Sequence, residues 1–269
     1  MGKFDGLLLA SDFDDTLYGL DLRIPERNLE AIRYFTDQGG RFAVATGRAH
    51  RTFAPFAHLV PMNAPAVLSN GSALYDFAQN KMICQTFLRP QAPADLEALA
   101  EQFPEIGFEA YFGEDIYVFQ PNTVTDSHMA KVGTGYIQCT RIADIPVPWT
   151  KVILQQDFPY LQRVQRWMLH TFPGAYEVIF SNRYLLEMTD FGSNKGGMVQ
   201  RLADHLHIAP GHVYCVGDNQ NDIPMLALSA IPFAPANCAR EVQDWGARVL
   251  CHCDEGVIGD IVALLDGLY

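Results

Sequence analysis

SDFDDTL at residues 11–17 is the stretch that decides the fold, and it directly follows the apolar run at residues 7–10. A second acidic stretch, GDNQND at residues 217–222, follows another apolar run, at residues 213–216. In open α/β sheets, ligands bind in the crevice at the carboxyl ends of the parallel strands. The two stretches therefore predict a parallel sheet in which two acidic turns lie at the same edge.

Four carboxylates would crowd together if these turns meet, those of Asp12, Asp14, Asp218 and Asp222. Two carboxylates about 4 Å apart repel by roughly 4 kcal/mol at an effective dielectric of about 20. A hard divalent cation relieves such repulsion, and Mg²⁺ prefers carboxylate oxygens and substrate phosphates as ligands. The pattern therefore predicts Mg²⁺ as the cofactor and phosphate chemistry as the reaction.

The composition of the 269 residues limits the classes of partner. A formal net charge of −12 argues against a nucleic-acid or anionic-membrane surface, since both require basic patches. A small phosphorylated metabolite stays compatible with this charge, because a bound cation and one lysine can reverse the field inside a pocket. The six cysteines are scattered, and Cys251-His252-Cys253 lacks the second ligand pair of a zinc module, so we expect free thiols. Because no run resembles a signal peptide or a membrane span, we expect a cytoplasmic enzyme.

Strand and helix signals alternate in the first and last thirds of the chain. The first third has strand signals at residues 7–11, 41–46 and 66–69 and a helix signal at 25–36. The last third has helix signals at 197–206, 222–228, 237–245 and 257–265 and strand signals at 212–216, 231–234 and 248–251. Parallel strands joined by right-handed helical crossovers produce such an order. We therefore predict the α/β fold class, with a Rossmann-like parallel-sheet core formed by residues 1–87 and 188–269.

The middle third has a different pattern. Its helix signals lie at 93–102 and 160–170, and its shorter strand signals lie at 108–112, 116–119, 151–155, 176–181 and 184–188. Asn182-Arg183 between the last two runs is typical of a tight hairpin turn. These elements predict an inserted α+β domain at residues 88–187, with an antiparallel sheet and its own aromatic core.

Each candidate motif has a structural interpretation as well as a chemical one. Asp12 and Asp14 lie two residues apart after a strand, where one can attack phosphorus while the other transfers a proton. The hydroxyl of Thr16 can steer Asp14, although Asp-rich turns also cap helices. Thr46-Gly47 and Lys195 both lie where a phosphate could bind, but a capping threonine and a solvated lysine are common alternatives.

Taken in order, the motifs are Asp-x-Asp-x-Thr at 12–16, Thr-Gly-Arg at 46–48, Asn-Lys-Gly at 194–196 and Gly-Asp-x-x-Asn-Asp at 217–222. This order resembles the haloacid dehalogenase (HAD) superfamily of phosphotransferases, and within it the Cof-type phosphatases, which carry a large α/β cap between their second and third motifs. The resemblance spans nearly the whole chain and extends to residues 68–76, 222–226 and 254–257. It implies a phosphoric monoester hydrolase with a core and a cap.

The resemblance also implies a role for each motif residue. Asp12 would be the nucleophile that forms an aspartyl-phosphate, and Asp14 would protonate the leaving alcohol and later activate water. The phosphate would be held by Phe13, Thr46, Gly47, Lys195 and Asn221. The metal would be bound by Asp12, by the backbone carbonyl of Asp14 and by Asp218, with Asp222 supporting the metal shell.

Four residues have roles that the sequence leaves open. Arg48 and Asn70 lie just past strand ends, where substrate contact is as plausible as a salt bridge or a cap, and Arg183 at the cap hairpin could reach the cleft. Asp15 stands where Cof-type sequences usually carry Gly. Because Asp tolerates left-handed geometry, we expect the turn to survive, with the extra charge either weakening phosphate binding or pointing to solvent.

Sugar phosphates are the leading substrate class that this reasoning favours. The rival hypotheses are a phosphomutase or phosphotransferase of the same superfamily and a non-catalytic phosphoryl-binding module. The mutase relatives carry longer metal loops than residues 218–222, and a receiver-like module would be much shorter and without a large insert. The sequence leaves the individual substrate and the oligomeric state open.

Overall fold

The structure is a computed structural model that describes residues 2–269, so residue 1 of the predicted core domain lies outside the described chain. Its strands are β1 (Leu8–Ser11), β2 (Arg41–Val44), β3 (Ala66–Leu68), β4 (Ala73–Asp76), β5 (Lys81–Gln85), β6 (Gly107–Phe112), β7 (Asp115–Phe119), β8 (Ile137–Cys139), β9 (Val152–Gln155), β10 (Tyr176–Asn182), β11 (Leu185–Asp190), β12 (Val213–Val216), β13 (Pro232–Ala234) and β14 (Arg248–Val249). Its α-helices are α1 (Glu26–Asp37), α2 (His50–Ala57), α3 (Ala92–Gln102), α4 (Thr123–Val132), α5 (Phe158–Thr171), α6 (Lys195–His205), α7 (Ile223–Leu226), α8 (Arg240–Trp245) and α9 (Val257–Leu268).

A five-stranded parallel sheet forms the centre of the core, in the order β14-β13-β12-β1-β2. The end of β1 lies directly beside the end of β12, because Ser11 pairs with Val216. An isolated bridge between Ala45 and Val67 brings β3 alongside the continuation of β2. The two acidic turns therefore begin side by side at one edge of a parallel sheet, and the predicted α/β fold class is confirmed.

Helices cover both faces of this sheet. Because side chains alternate along β1, its residues pack against the helices on both faces. Leu9 packs into an aromatic-rich layer with α1 and α9, which includes Phe35. Leu8 and Ala10 point to the opposite layer, where α6, α7 and α8 cover smaller side chains such as Cys215. Each fully buried Leu or Phe contributes about 1.5–3 kcal/mol of hydrophobic stabilisation. The tightly packed strand holds the acidic turn that follows it in a defined position.

A six-stranded sheet forms the inserted part, in the order β10-β11-β9-β6-β7-β8. Its neighbouring strands are antiparallel except β7 and β8, which run parallel. α3 and α5 pack on one face around Trp149 and Phe108, and α4 packs on the other face through Met129. This sheet has its own aromatic core, as the sequence predicts. The domain boundaries at 87/88 and 187/188 stay a prediction, and β11 runs on to Asp190.

The elements that the sequence patterns missed are short or half-exposed. The β4–β5 hairpin pairs with β3, but β5 is largely exposed and carries no clear apolar period. α2 contains Pro55, and α4 lies in the Pro- and Thr-rich stretch, where Asn122 caps its first turn. The cap hairpin turns at Arg183-Tyr184 instead of Asn182-Arg183, because a bulge extends β10 by one residue. No helix within residues 2–269 combines the length and apolar character needed to cross a bilayer.

Candidate active site

Three carboxylates meet where β1 and β12 end. Oxygen atoms of Asp12, Asp218 and Asp222 all lie within 4.8 Å of one another, and Asp12 and Asp222 are buried. Asp12 follows β1 and donates its backbone N–H to the carbonyl of Val216, which locks the first acidic turn against the second. The central geometric prediction from the sequence, that the two acidic turns share one small volume, is therefore met.

Lys195 completes this cluster from the first residue of α6. Its ammonium nitrogen lies 2.5 Å from Asp12 Oδ1 and 2.6 Å from Asp222 Oδ1, and its side chain is 1% exposed. Asn194 caps the helix, since its side-chain oxygen accepts a hydrogen bond from the Gly197 amide at 2.9 Å. The cap and the two ion pairs place a positive charge directly beside the proposed nucleophile.

Asp222 shapes the loop that carries Asp218. Its second carboxylate oxygen accepts hydrogen bonds from the amides of Asp218 at 2.9 Å and Asn219 at 3.0 Å. The first residue of this loop is Gly217, where a larger side chain would not fit, because a Cβ there would lie 2.4 Å from the Asp222 side chain. Asp222 thus contacts Lys195 with one oxygen and orders the backbone beside Asp218 with the other.

Burial and mutual repulsion perturb these acids. Burial raises the pKa of Asp12 from 3.8 to about 7; the neighbouring charge of Lys195 opposes this rise, and Asp222 and Asp14 add to it. Burial and the charges of Asp12 and Asp222 likewise raise the pKa of Asp218 well above its ordinary value. Three hard oxygen donors that repel one another this strongly fit a small divalent cation such as Mg²⁺.

Asp14 lies outside this group of three carboxylates and pairs with Arg48. The guanidinium donates to both carboxylate oxygens, at 2.8 Å and 2.7 Å, and stacks 4.6 Å from the centroid of Phe56. Arg48 therefore forms the salt bridge that the sequence left open, and it also lines the cleft, so its contact with substrate stays a prediction. The Thr16 hydroxyl donates to Asp218 Oδ1 at 3.3 Å, so the expectation that Thr16 steers Asp14 is not met.

Gly47 and Asn221, two of the predicted phosphate-binding residues, line one cavity together with Asp12. Within residues 2–269, the amides of Phe13 and Gly47 have no hydrogen-bond acceptor, so both are available to an anion. The Thr46 hydroxyl accepts a hydrogen bond from the Arg48 amide at 3.1 Å. The backbone at residues 46–48 therefore forms a turn with a free amide at Gly47, which lines the same cavity as Asp12 and Asp218.

Two buried amide side chains next to this turn have unused polar atoms. Asn221 donates to Asn70 Oδ1 at 3.0 Å, but Asn221 Oδ1 and Asn70 Nδ2 have no partner among residues 2–269. Asn70 adopts a left-handed conformation with φ of 52°, which turns its side chain toward Asn221. Buried polar atoms without a partner are rare in folded proteins, so both atoms are candidates for ligand contact.

A cavity of about 160 Å³ opens above these residues, between the core and the six-stranded sheet. The six-stranded part contributes side chains that the sequence reasoning did not single out: Tyr111, His128, Lys131, Lys151, Ser181 and Glu187. Arg183 does not line this cavity in the described chain and instead lies 5.8 Å from the centroid of Phe158. The predicted hairpin does reach the cleft, through residues on both sides of its turn, such as Ser181 and Glu187.

Asp15 occupies the cleft wall with a φ of 62°, the left-handed geometry that the sequence analysis expected Asp to tolerate. Its carboxylate is half-buried, so it does not simply point to solvent. Burial raises the pKa of Asp15, and Lys131 from α4 opposes that rise. Asp15 therefore faces the inserted part across the cleft.

The cysteines are free thiols within the described chain, as predicted. His252, Cys253 and Asp254 nevertheless form a second group of donor atoms within 4.8 Å of one another. Burial raises the pKa of Cys253 to about 11, so this thiol stays protonated near neutral pH.

The chain matches the haloacid dehalogenase-like hydrolase family over residues 9–261. It is 25% identical to the 5-amino-6-(5-phospho-D-ribitylamino)uracil phosphatase YwtE of Bacillus subtilis, over 97% of this chain and 99% of that protein. It is 23% identical to the pyridoxal phosphate phosphatase YbhA of Escherichia coli, over 88% of this chain and 90% of that protein.

A solved structure of the HAD subclass IIB sugar phosphatase BT4131 has a TM-score of 0.83 to this protein at 19% identity. The similarity covers 97% of this chain and 99% of that chain, and it shows that the fold is shared. Because the family match spans nearly the whole chain, the chain belongs to the haloacid dehalogenase-like hydrolase family, as the order of its motifs predicts.

Proposed function

We propose that this protein is a Mg²⁺-dependent phosphatase that hydrolyses phosphate monoesters of small metabolites through an aspartyl-phosphate on Asp12. Family membership and the names of its relatives support the broader statement, that the chain is a phosphoric monoester hydrolase. The observation that carries the finer proposal is the convergence of Asp12, Lys195 and Asp218 at the inner end of the cleft.

In the first step, an oxygen of the Asp12 carboxylate attacks phosphorus and the phosphorus–oxygen ester bond breaks. The departing alkoxide takes a proton from Asp14, which lines the same cavity as Asp12. Lys195 and the free amides of Phe13 and Gly47 stabilise the negative charge on the equatorial phosphoryl oxygens. This step leaves Asp12 as an aspartyl-phosphate and Asp14 as a carboxylate.

In the second step, a water molecule attacks the phosphorus of the aspartyl-phosphate and gives its proton to Asp14. The bond between phosphorus and the Asp12 oxygen breaks, which releases inorganic phosphate and restores both carboxyl groups. Asp12, Asp218 and the backbone carbonyl of Asp14 would hold Mg²⁺, with Asp222 ordering the loop. The bound ion supplies charge neutralisation and orients the phosphoryl group.

Sugar phosphates remain the substrate class that we propose. One relative is named for pyridoxal phosphate, one for a phosphorylated ribitylaminouracil, and a protein of the same fold is called a sugar phosphatase. Each of these names refers to a small, polar phosphorylated compound. A substrate of this kind suits a cavity of about 160 Å³. The free thiols are compatible with the reducing cytoplasm, where we place the protein.

Turnover of p-nitrophenyl phosphate tests the proposed mechanism. Asp12→Asn keeps the shape of the side chain but removes the nucleophile, so kcat is expected to fall by about a thousandfold or more. EDTA should abolish activity, and added Mg²⁺ should restore it. Asp37→Asn, at an exposed position, is the matched control and should match the parent enzyme. Full activity of Asp12→Asn, or of the EDTA-treated enzyme, refutes the proposal.

Product analysis separates hydrolysis from phosphoryl transfer. A phosphatase releases one inorganic phosphate for each alcohol formed, whether or not a sugar acceptor is present. Appearance of the phosphoryl group on an added sugar or sugar phosphate would favour the phosphomutase or phosphotransferase hypothesis instead.

A further inference from the structure

A buried ion pair from the six-stranded sheet contacts the phosphate side of the cleft. Lys151 Nζ lies 3.0 Å from Glu187 Oε2, and the two side chains are 3% and 7% exposed. The same ammonium group donates to the carbonyl of Gly47 at 2.8 Å and lies 4.7 Å from the centroid of Tyr111. One cation of the inserted part is therefore bonded to the turn that we propose binds phosphate.

Glu187 has a carboxylate oxygen that this ion pair does not use. Within residues 2–269, no donor forms a hydrogen bond with Oε1, whereas Oε2 accepts from Lys151. A Cβ built on Gly47 would lie 3.3 Å from Oε1, so this oxygen lies against the same turn. Glu187 also lines the cavity, which leaves Oε1 available to a substrate group next to the phosphate.

Ser181 supplies a second unused polar atom in the same cavity. Its hydroxyl oxygen is buried and has no hydrogen-bond partner in the described chain. Ser181 lies in the bulge of β10, and Glu187 lies on the neighbouring strand β11, opposite Ile179. The bulge and the strand pairing thus bring a hydroxyl and a carboxylate oxygen to one wall of the cleft.

The chemistry of this wall selects among substrate groups. A bare carboxylate about 4 Å from a phosphate would repel it by roughly 4 kcal/mol per pair of unit charges at an effective dielectric of about 20. Lys151 neutralises Glu187, so the wall neither repels the phosphate strongly nor calls for a cationic substrate group. A neutral donor, such as an alcohol hydroxyl, satisfies Oε1, and the same hydroxyl oxygen can accept from Ser181.

We propose that Glu187 and Ser181 form a hydroxyl-recognition subsite, which selects phosphorylated sugars or polyols over phosphate esters of the same size that lack hydroxyls. The inference rests on the proposed phosphatase function and deepens it by naming the residues that form hydrogen bonds with the leaving group. A site built to bond a hydroxyl disfavours the analogue without it, because its buried polar atoms are left unpaired.

Matched substrate pairs test this subsite with the full-length enzyme and Mg²⁺. Glycerol 3-phosphate and propyl phosphate share a carbon skeleton and differ in hydroxyls, as do ribose 5-phosphate and 2-deoxyribose 5-phosphate at one position. The parent enzyme should favour the hydroxylated member of at least one pair by about tenfold or more in kcat/KM. Glu187→Gln and Ser181→Ala should each reduce that preference at least threefold. Each variant should lose more kcat/KM toward the hydroxylated member of the pair than toward hydroxyl-free p-nitrophenyl phosphate.

Glu97→Gln is the control, because Glu97 is an exposed carboxylate on α3 of the inserted part that does not line the cavity. It should change all substrates by the same factor. The inference is overturned if the parent prefers neither hydroxylated member, or if both subsite variants keep the preference. It is also overturned if Glu187→Gln and Ser181→Ala lower kcat/KM toward p-nitrophenyl phosphate by the same factor as toward the hydroxylated substrates. A parent enzyme that fails to hydrolyse p-nitrophenyl phosphate contradicts the proposed function itself, which is a separate result.

Discussion

The ammonium nitrogen of Lys195 lies 2.5 Å from a carboxylate oxygen of Asp12, although most of the chain separates the two residues. Neither side chain is more than 7% exposed, so the pair joins the start of α6 to the end of β1 in the interior. Separating two buried charges leaves each without compensation, which costs far more than breaking an exposed pair. The contact therefore stabilises the fold and also holds a positive charge beside the carboxylate of Asp12.

Replacing this lysine should destabilise the protein strongly. Lys195→Met leaves Asp12 and Asp222 buried without their cation, and the free energy of unfolding should fall by about 3–5 kcal/mol. Lys3→Met is the matched control, since Lys3 pairs with Asp266 at the surface, and it should cost under about 1 kcal/mol. Denaturant unfolding at pH 8 with EDTA measures both values. Equal losses in the two variants would contradict the interpretation.

Mg²⁺ binding should strengthen as the pH rises from 6 to 8. Burial raises the pKa of Asp12 to about 7 and that of Asp218 well above its ordinary value, so both hold more protons at pH 6 than exposed acids would. The cation requires the deprotonated forms, and one proton with a pKa of about 7 changes the affinity about tenfold over this range. Isothermal titration calorimetry in two buffers of different ionisation enthalpy should show proton release. An affinity that does not change with pH would argue against metal binding at Asp12 and Asp218.

Asp14→Asn should accumulate a phosphorylated enzyme. p-Nitrophenolate leaves without much help from an acid, so Asp12 can still attack, but the hydrolysis of the aspartyl-phosphate loses its base. We expect a burst of about one nitrophenolate per enzyme, followed by turnover slowed at least a hundredfold. Intact-mass spectrometry should detect one added phosphoryl group. Asp15→Asn, the neighbouring acid, should show steady turnover and no adduct, and steady turnover by Asp14→Asn would overturn its assignment.

Gly71→Ala should disturb the active site although Gly71 carries no reactive group. Gly71 has a φ of +97°, and a Cβ there would lie 2.0 Å from the carbonyl oxygen of Asn194, the residue that caps α6. The positive φ costs about 1–2 kcal/mol for an L-residue, and overpacking adds about 1–3 kcal/mol. Gly113→Ala isolates the first effect, because Gly113 has a φ of +57° and no atom within 4 Å of its Cβ position.

Two measurements separate these glycine variants. Thermal unfolding should show a clearly larger loss for Gly71→Ala than for Gly113→Ala, and only Gly71→Ala should lower kcat, because only it displaces the start of α6. Equal stability and equal kcat in the two variants would show that the backbone near Asn194 yields without moving Lys195.

The sequence by itself determined that Asp12, Asp218 and Asp222 lie together at one edge of the sheet. It also placed Asp14 in this cluster, but Asp14 pairs with Arg48 instead. The position of each acidic turn is local information, because an apolar run followed by a Gly- or Asp-containing turn predicts a buried strand and its end. The carboxyl ends of parallel strands then lie at the same edge of the sheet. The same logic located the inserted sheet from its alternating runs. It failed for β5 and α4, whose partial burial weakens the apolar period.

Only the tertiary structure decided which side chains face each other across the cleft. The pairing of Arg48 with Asp14, the donation of Thr16 to Asp218 and the contact of Lys151 with Gly47 join segments with no shared period. One extra residue in the bulge of β10 directs Ser181 into the cavity and leaves Arg183 outside it. Since side chains alternate along a strand, a register shift of one residue changes which side chains can reach a ligand. No pattern in the sequence predicts where this bulge lies.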